Sequence, residues 1–251
     1  MFKKVLELDG ILYAAANDGL YAIYPDDGYS IKKIVSGKDV KAMCISRKML
    51  FAMMSSGSED SAANSLYTIN EYGDIDDITS KVLNFSTMSN LDVTCMDIYN
   101  GYVLIGTSRG LYCFTYSQVI LFSKLDAAGN INIIDICTTS NGIVVATASR
   151  YYIFSDMQYT EEETNNIKSF SLVEAGGYKV VDNILKIFEF DNKQYAVSTE
   201  GLIDLSNYSK TIIGGEVKDA ILVDFGITRA IFVASTDGIF AYILDNDNIL
   251  T

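Results

Sequence analysis

The chain has 251 residues, 49% hydrophobic and 20% charged, the balance of a globular protein able to bury a sizeable core. Its formal net charge of −13, from 32 acidic and 19 basic side chains, repels phosphate backbones and anionic lipid, so neither nucleic acid nor a bare membrane is an expected partner. Histidine is absent, which removes histidine triads, histidine general bases and histidine-ligated zinc.

The chain opens MFKKVLELDG, where Glu7 and Asp9 interrupt any apolar run; this reads as mature protein rather than a signal peptide. No stretch reaches the roughly 18 apolar residues of a membrane span, and the expected location is cytoplasmic. KKVLEL (3–8) predicts a strand, AAANDGLYAI (14–23) a tight hairpin and YSIKKIV (29–35) a weaker strand. The same order follows in VKAMCI (40–45), AMMSS and SLYTI (52–56 and 65–69) and DIDDITS (74–80). Next come DVTCMDI (92–98), IGTSRGLYCF (105–114) and QVILFSKL (118–125), then INIIDIC (131–137), ATASRYYIF (146–154) and IKSFSLV (167–173). NILKIFEF (183–190), VSTEGLIDL (197–205) and YSKTIIG (208–214) precede DAILVDF (219–225), ASTDGIFAY (234–242) and DNILT (247–251).

Six copies of one unit are therefore present. Gly19, Ser65, Gly110, Arg150, Gly201 and Gly238 share a column, separated by 46, 45, 40, 51 and 37 residues. Glycine suits this column because a two-residue hairpin turn needs positive φ, and Asp-Gly at 18–19 and 237–238 is a strong turn signal. An all-strand period of this length marks a β-propeller. The fold class expected is all-β: a single six-bladed β-propeller of four-stranded antiparallel blades, with strands A to D in each. It occupies residues 1–251, with blades at 1–37, 38–82, 90–127, 129–175, 180–215 and 216–251. The phase runs from strand A of the first blade to strand D of the sixth, so no strand-swapped closing blade is expected. Without such a swap, closure of the ring is expected to rest on side-to-side packing of blades one and six, a seam that is the weak point and open to protection by a partner.

The aliphatic-x-Gly-Thr-x-x-Gly-[Leu/Ile]-[Tyr/Phe] core of the third copy resembles the repeats of two-component-regulator, YVTN and WD40-like propellers. The resemblance extends over all six copies. It implies the fold and no specific activity, because propellers serve as enzymes, sensors and scaffolds. The tryptophan that often precedes the Gly-Thr pair is replaced here by aliphatics or phenylalanine, and the Trp-Asp signature of true WD40 blades is missing.

Few residues point to chemistry. Cys44, Cys95, Cys113 and Cys137 sit in apolar strand runs without CxxC spacing and read as buried thiols in a reducing compartment. Arg109 and Arg150 occupy B–C turns of adjacent blades. The strand-A acids Glu7, Asp97, Asp135, Glu189 and Asp224 fall at different offsets and form no inward ring, so no metal is expected. DNDN (245–248) and DIDD (74–77) lack an EF-hand loop and read as polar turns, and Gly176-Gly177 reads as a connection. No catalytic residue and no cofactor is expected. Two insertions interrupt the regularity: SSGSEDSAANS (55–65) in the second B–C turn, and the acidic SDMQYTEEETNN (155–166) between strands C and D of the fourth blade. Candidate partner-binding residues are accordingly Asp18, Glu59, Asp60, Arg109, Arg150, Glu200 and Asp237 on B–C turns, with Glu161, Glu162 and Glu163 on the acidic connection. The expected role is a non-catalytic module that binds protein partners within a larger assembly. The many Ile, Asn, Lys and Tyr and the single proline resemble the products of AT-rich genomes, including phages. A phage tail, baseplate or related contractile particle is therefore the concrete setting, with incorporation into a virion or virion-like particle. The alternative is recognition of a ligand or glycan, and a channel-metal hydrolase or degenerate glycosidase ranks behind both.

Overall fold

The computed structural model describes residues 2–56, 63–121, 131–139, 142–162, 167–181, 183–190, 193–199, 201–205, 209–212, 215–224, 229–244 and 249–250. These form six four-stranded antiparallel sheets, each of four consecutive strands. The first holds β1 (Phe2–Leu8), β2 (Ile11–Ala16), β3 (Gly19–Tyr24) and β4 (Ser30–Ser36); the second, β5 (Asp39–Ser46), β6 (Met49–Ser56), β7 (Ala63–Asn70) and β8 (Ile75–Asp77). The third holds β9 (Val93–Tyr99), β10 (Tyr102–Thr107), β11 (Gly110–Phe114) and β12 (Val119–Leu121); the fourth, β13 (Ile133–Thr139), β14 (Gly142–Thr147), β15 (Arg150–Glu162) and β16 (Ile167–Val180). β17 (Ile184–Phe190), β18 (Lys193–Ser198), β19 (Gly201–Asp204) and β20 (Ser209–Ile212) make the fifth, and β21 (Val217–Asp224), β22 (Arg229–Ser235), β23 (Gly238–Leu244) and β24 (Ile249–Leu250) the sixth. The chain is thus an all-β protein of six propeller blades, and among the described residues no sheet draws strands from two separate blades. No helix among the described residues is long and apolar enough to cross a membrane.

Contacts divide the chain into two compact units, Met1–Ile133 with Met157–Leu172, and Ile134–Asp156 with Val173–Thr251. In the first unit, blade one packs on blade two through Leu20, Ala15 and Tyr13 against Val40, Met43 and Ala52. Blade two packs on blade three through Leu66, Phe51 and Met53 against Val93, Met96 and Phe114. In the second unit, Tyr151 and Val144 of blade four meet Ile184 and Ile187 of blade five, and Leu202 and Tyr195 of blade five meet Val217 and Ala220 of blade six. The continuous apolar character of strands A and B arises because both faces of a blade are covered.

A recurrent irregularity lies on strand A. The register slips between Phe2 and Lys4, Val40 and Ala42, Ile184 and Lys186, and Val217 and Asp219, and opposite Gly106–Thr107 in the third blade. Such a bulge inserts one unpaired residue and sharpens the local twist of the blade. Nothing in the residue pattern announces it, since Lys3, Lys41 and Lys218 at the bulge read as ordinary solvent-facing positions.

The structure corrects three readings. Strand C of the fourth blade continues to Glu162 and strand D reaches Val180, so residues 155–162 and Gly176-Gly177 lie in strands rather than in connections. Met157 is buried while Ser155 and Asp156 are exposed, the mark of strand geometry in a segment whose acidity suggests a loop. In the second blade, strand D stops at Asp77, whose carboxylate accepts hydrogen bonds from the Thr79 amide at 3.0 Å and hydroxyl at 2.5 Å, turning the chain into a 3-10 turn at Thr79–Lys81. The 55–65 insertion is shortened by pairing at its base, Ser55 with Asn64 and Ser56 with Ala63.

Residues 83–89 fall between the expected blades, yet the stretch 82–91 belongs to the core. Val82, Phe85 and Met88 are buried against strands of blades two and three, around a 3-10 turn at Phe85–Thr87, with Leu91 packed beside them. Their spacing of three, read along LDVTCMDI's preceding stretch VLNFSTMSNL, is the sequence signal for this plug.

Candidate functional site

The B–C turns carry the charged tips, and their construction is common to several blades. In the third, the Thr107 hydroxyl donates to the Gly110 carbonyl at 2.8 Å and accepts from the Arg109 amide at 3.1 Å. Gly110 holds φ at 133°, a conformation costly for a side-chain-bearing residue. Ser198 donates to the Gly201 carbonyl at 3.3 Å. The Thr147 hydroxyl donates to Arg150 O and accepts from Arg150 N, both at 3.1 Å. Arg150 is absent from the positive-φ positions, which is how an arginine stands where other blades have glycine. The threonine or serine three residues before the glycine column is therefore a turn lock, a role the bare motif does not disclose.

Arg109, Arg150 and Asp237 are all exposed, Arg109 in the first unit, Arg150 and Asp237 in the second. The Asp237 amide donates to the Ser235 hydroxyl at 3.1 Å. Asp18 is held in place: Lys33 Nζ bridges it at 2.5 Å, Tyr21 Oη donates to it at 2.9 Å, and Lys33 lies 4.9 Å from the Tyr21 ring centre. The hydrogen bonds from Lys33, then Tyr21, pull the Asp18 carboxyl below its ordinary range. Glu59, Asp60, Glu163 and Glu200 lie outside the described residues. Glu161 and Glu162 have their backbone in β15, and their side chains lie outside the described set.

Among the strand-A acids, Glu7 accepts the Gly10 amide at 2.6 Å, Asp97 the Ile98 amide at 2.9 Å, and Asp135 the Ile187 amide at 2.9 Å. Among the described residues, no group of three or more His, Cys, Asp or Glu side chains is placed to hold a metal ion. Cys44 and Cys113 are buried free thiols, and burial drives both thiol pKa values strongly upward, away from reactivity.

Three structural anchors escape the sequence reading. Asn64, at the base of the second-blade insertion, is buried; its side-chain amide donates to Met88 O at 2.7 Å and Leu91 O at 2.6 Å, and its backbone amide to Ser89 O at 2.7 Å. Asn64→Ala is expected to cost about 1–3 kcal/mol in urea unfolding, since two buried carbonyls lose their donor. Asn64→Asp should cost at least as much, because a carboxylate there would face the same two carbonyls. A second anchor stacks the Arg47 guanidinium 5.0 Å from the Tyr116 ring, whose hydroxyl donates to Gly101 O at 2.6 Å. The third is a column of polar strand-A residues that reach the next blade: Lys4 Nζ donates to Met43 O at 3.0 Å and Lys186 Nζ to Ala220 O at 2.8 Å, while Asp135 takes Ile187 N.

Asp39 links blades one and two electrostatically. Burial acts to raise its carboxyl pKa, but hydrogen bonds from Lys3 and Lys41 outweigh that and hold it below the ordinary 3.8. The unfolded chain then binds the proton more readily, so this stabilisation is complete above the unfolded value and disappears as pH falls through the folded one. Asp39→Asn is expected to lower the melting temperature at neutral pH and to have a smaller effect at a pH well below the ordinary carboxylate range. An equal effect at both pH values would exclude the ionic origin.

Comparison with known proteins finds no family model and no curated protein that matches the chain. Solved structures do match. The AfRom2 CNH domain superposes with a TM-score of 0.61 at 10% identity, over 98% of this chain and 81% of that one. The extracellular domain of the hybrid two component system BT4673 from B. thetaiotaomicron gives 0.59 at 14% identity, over 94% of this chain and 32% of that one. The structure of YjhT gives 0.54 at 6% identity, with coverage of 98% and 96%. At such identities the likeness establishes the fold alone.

Proposed function

We propose that the chain is a non-catalytic propeller module that binds protein partners, serving as a structural subunit of a larger particle. The observation that carries this reading is the contrast between anchored charge and free apolar surface. Asp18 is tied to Lys33 and Tyr21, Lys48 to Glu71 at 2.9 Å, and Asp39 to Lys41 at 2.9 Å, whereas Tyr72 is 81% exposed and Tyr29 and Leu83 are exposed with it. Large apolar side chains kept in water at the rim of rigid sheets are the usual material of a protein interface. Tyr29 also holds φ at +60°, a strained setting for a bulky residue.

The acidic composition suits a basic partner surface, and the AT-rich residue skew supports a phage tail, a baseplate or a related contractile particle as the setting. Co-expression with the products of the flanking genes, followed by size-exclusion chromatography with light scattering, tests the reading. A stable stoichiometric complex weakened by Tyr72→Ala and Tyr29→Ala is expected; persistent failure to bind any of them would remove it. A glycan-binding reading draws on the same exposed tyrosines, which could stack on sugar rings. A glycan array separates the two, since a protein-docking face gives no sugar signal.

A further inference from the structure

Two adjacent blades of the first compact unit carry a tyrosine at the same place, and only one of the two is covered. The C–D turn of the third blade runs from Thr115 to Gln118 and that of the second from Glu71 to Asp74; tyrosine is the second residue of each. Tyr116 takes the left-handed conformation itself, with φ at +66°. Its ring packs with those of Phe51 and Phe114 and carries the Arg47 guanidinium. In the second blade Gly73 takes that conformation instead, with φ at +80°, and Tyr72 is left in water. The turn beneath Tyr72 is firmly held. Asn70 Oδ1 accepts the amides of Tyr72 at 3.0 Å and Asp74 at 2.9 Å, and Asn70 Nδ2 donates to the Asp74 carboxylate at 3.0 Å.

Elsewhere in this unit, tyrosine rings are served by cations of the chain itself. Lys33 lies 4.9 Å from the Tyr21 ring centre while bridging Asp18, Lys38 lies 5.2 Å from that of Tyr67, and Arg47 5.0 Å from that of Tyr116. Lys33 shows the full arrangement, one cation shared by a ring and a carboxylate. Tyr72 and Asp74 offer the same two groups on one turn, and no cation of the described residues occupies them. Glu71, beside the Tyr72 side chain, is already taken by Lys48 at 2.9 Å, whereas the exposed Asp74 carboxylate has the Asn70 amide alone.

We propose that Tyr72 and Asp74 receive an arginine side chain of a protein partner. The guanidinium stacks on the ring as Arg47 does on Tyr116, and pairs with the carboxylate as Lys33 does with Asp18. Arginine suits the pair better than lysine, because a guanidinium is planar and weakly hydrated, and stacks while keeping its edge donors for a carboxylate. The net charge of −13 draws a basic surface toward the chain. The inference rests on the reading of the chain as a protein-binding module and names the group that the partner presents.

A fluorescently labelled hexa-arginine peptide is the probe, titrated with the full chain and followed by anisotropy. Tyr72→Leu removes the ring and keeps every charge, so it separates this site from general attraction to an acidic surface. Affinity should fall about two- to five-fold in that variant, with Tyr72→Phe close to the wild type. Asp74→Asn should weaken binding as well. In the aromatic NMR spectrum, the signal missing from Tyr72→Leu should be the tyrosine signal that moves most as peptide is added. Unchanged affinity in Tyr72→Leu would overturn the proposal, and so would a hexa-lysine peptide that moves the Tyr72 signal equally far. A response of the peptide to Tyr72→Leu, with no flanking gene product binding, supports this site and removes the particle-subunit reading. A stable complex with such a product that Tyr72→Leu leaves intact, when the peptide too ignores the substitution, keeps that reading and removes the site.

Discussion

Gly142→Ala is expected to unfold the fourth blade's A–B turn and to reduce the stability of the chain by more than backbone strain alone, itself about 1–3 kcal/mol. Gly142 holds φ at +138°, and a methyl group there would lie 1.9 Å from the backbone oxygen of Phe154 and 2.9 Å from its carbonyl carbon. Backbone cannot swing aside as the end of a side chain can. Relief would require strand C to move away from strand B, and the pairs from Ile143–Phe154 to Ala146–Tyr151 run along that seam. Tyr151 would be drawn out of its packing with Ile184 and Ile187 of the fifth blade. Urea unfolding followed by fluorescence of the tyrosines measures the loss. A change within about 0.5 kcal/mol, the range of an ordinary surface substitution, would show that the turn relaxes freely. Gly10→Ala is the control, since it too has positive φ but nothing within 4 Å, and so carries only the conformational cost.

Phe114→Ala is expected to cost about 3–5 kcal/mol. Its ring is fully buried in the cluster between blades two and three, 6.0 Å from the Phe51 ring and 5.5 Å from that of Tyr116, the former edge-on. The cavity left would lie among Phe51, Tyr116 and the 82–91 plug, elements fixed on both sides by sheet pairing, so collapse into it is limited. The aromatic contacts add about 0.5–1.5 kcal/mol beyond the area removed from water. Phe114→Leu keeps most of the volume and should cost less than half as much. Equal losses for the two variants would place the effect in strand propensity and remove the cavity account.

Much of this architecture was legible because blades repeat. IGTSRGLYCF and its counterparts locate six hairpins, and the observed strand pairs, such as Thr107 with Gly110 and Ser198 with Gly201, fall on the expected columns. Strand A was equally readable, since Val40, Val93 and Ile184 begin apolar runs covered from both sides. What escaped is what repetition does not encode. The strand-A bulges depend on twist, and twist leaves no residue signature of its own. The 82–91 plug occurs in one blade among the described residues, and its three-residue spacing differs from the alternation of a strand. The acidic run after Phe154 looked like a loop because charge is more visible than the inward turn of Met157.

In the sequence the candidate partner residues read as exposed turn charges. Arg109, Arg150 and Asp237 are exposed in the structure, whereas Asp18 is engaged by Lys33 and Tyr21. Composition cannot separate a free carboxylate from one already engaged by a neighbour two strands away.

That every sheet is composed of four consecutive strands bears on how the chain reaches its native state. Among the described residues, each sheet's ladder pairs strands of a single blade, so the loops closed in forming a sheet are short, and their entropic cost is small. Contact order is accordingly low for an all-β protein, and folding should be faster than in propellers whose last sheet must wait for a strand from the far end of the chain. During synthesis, a blade can zip up soon after its fourth strand leaves the ribosome, then serve as the template on which the next one docks.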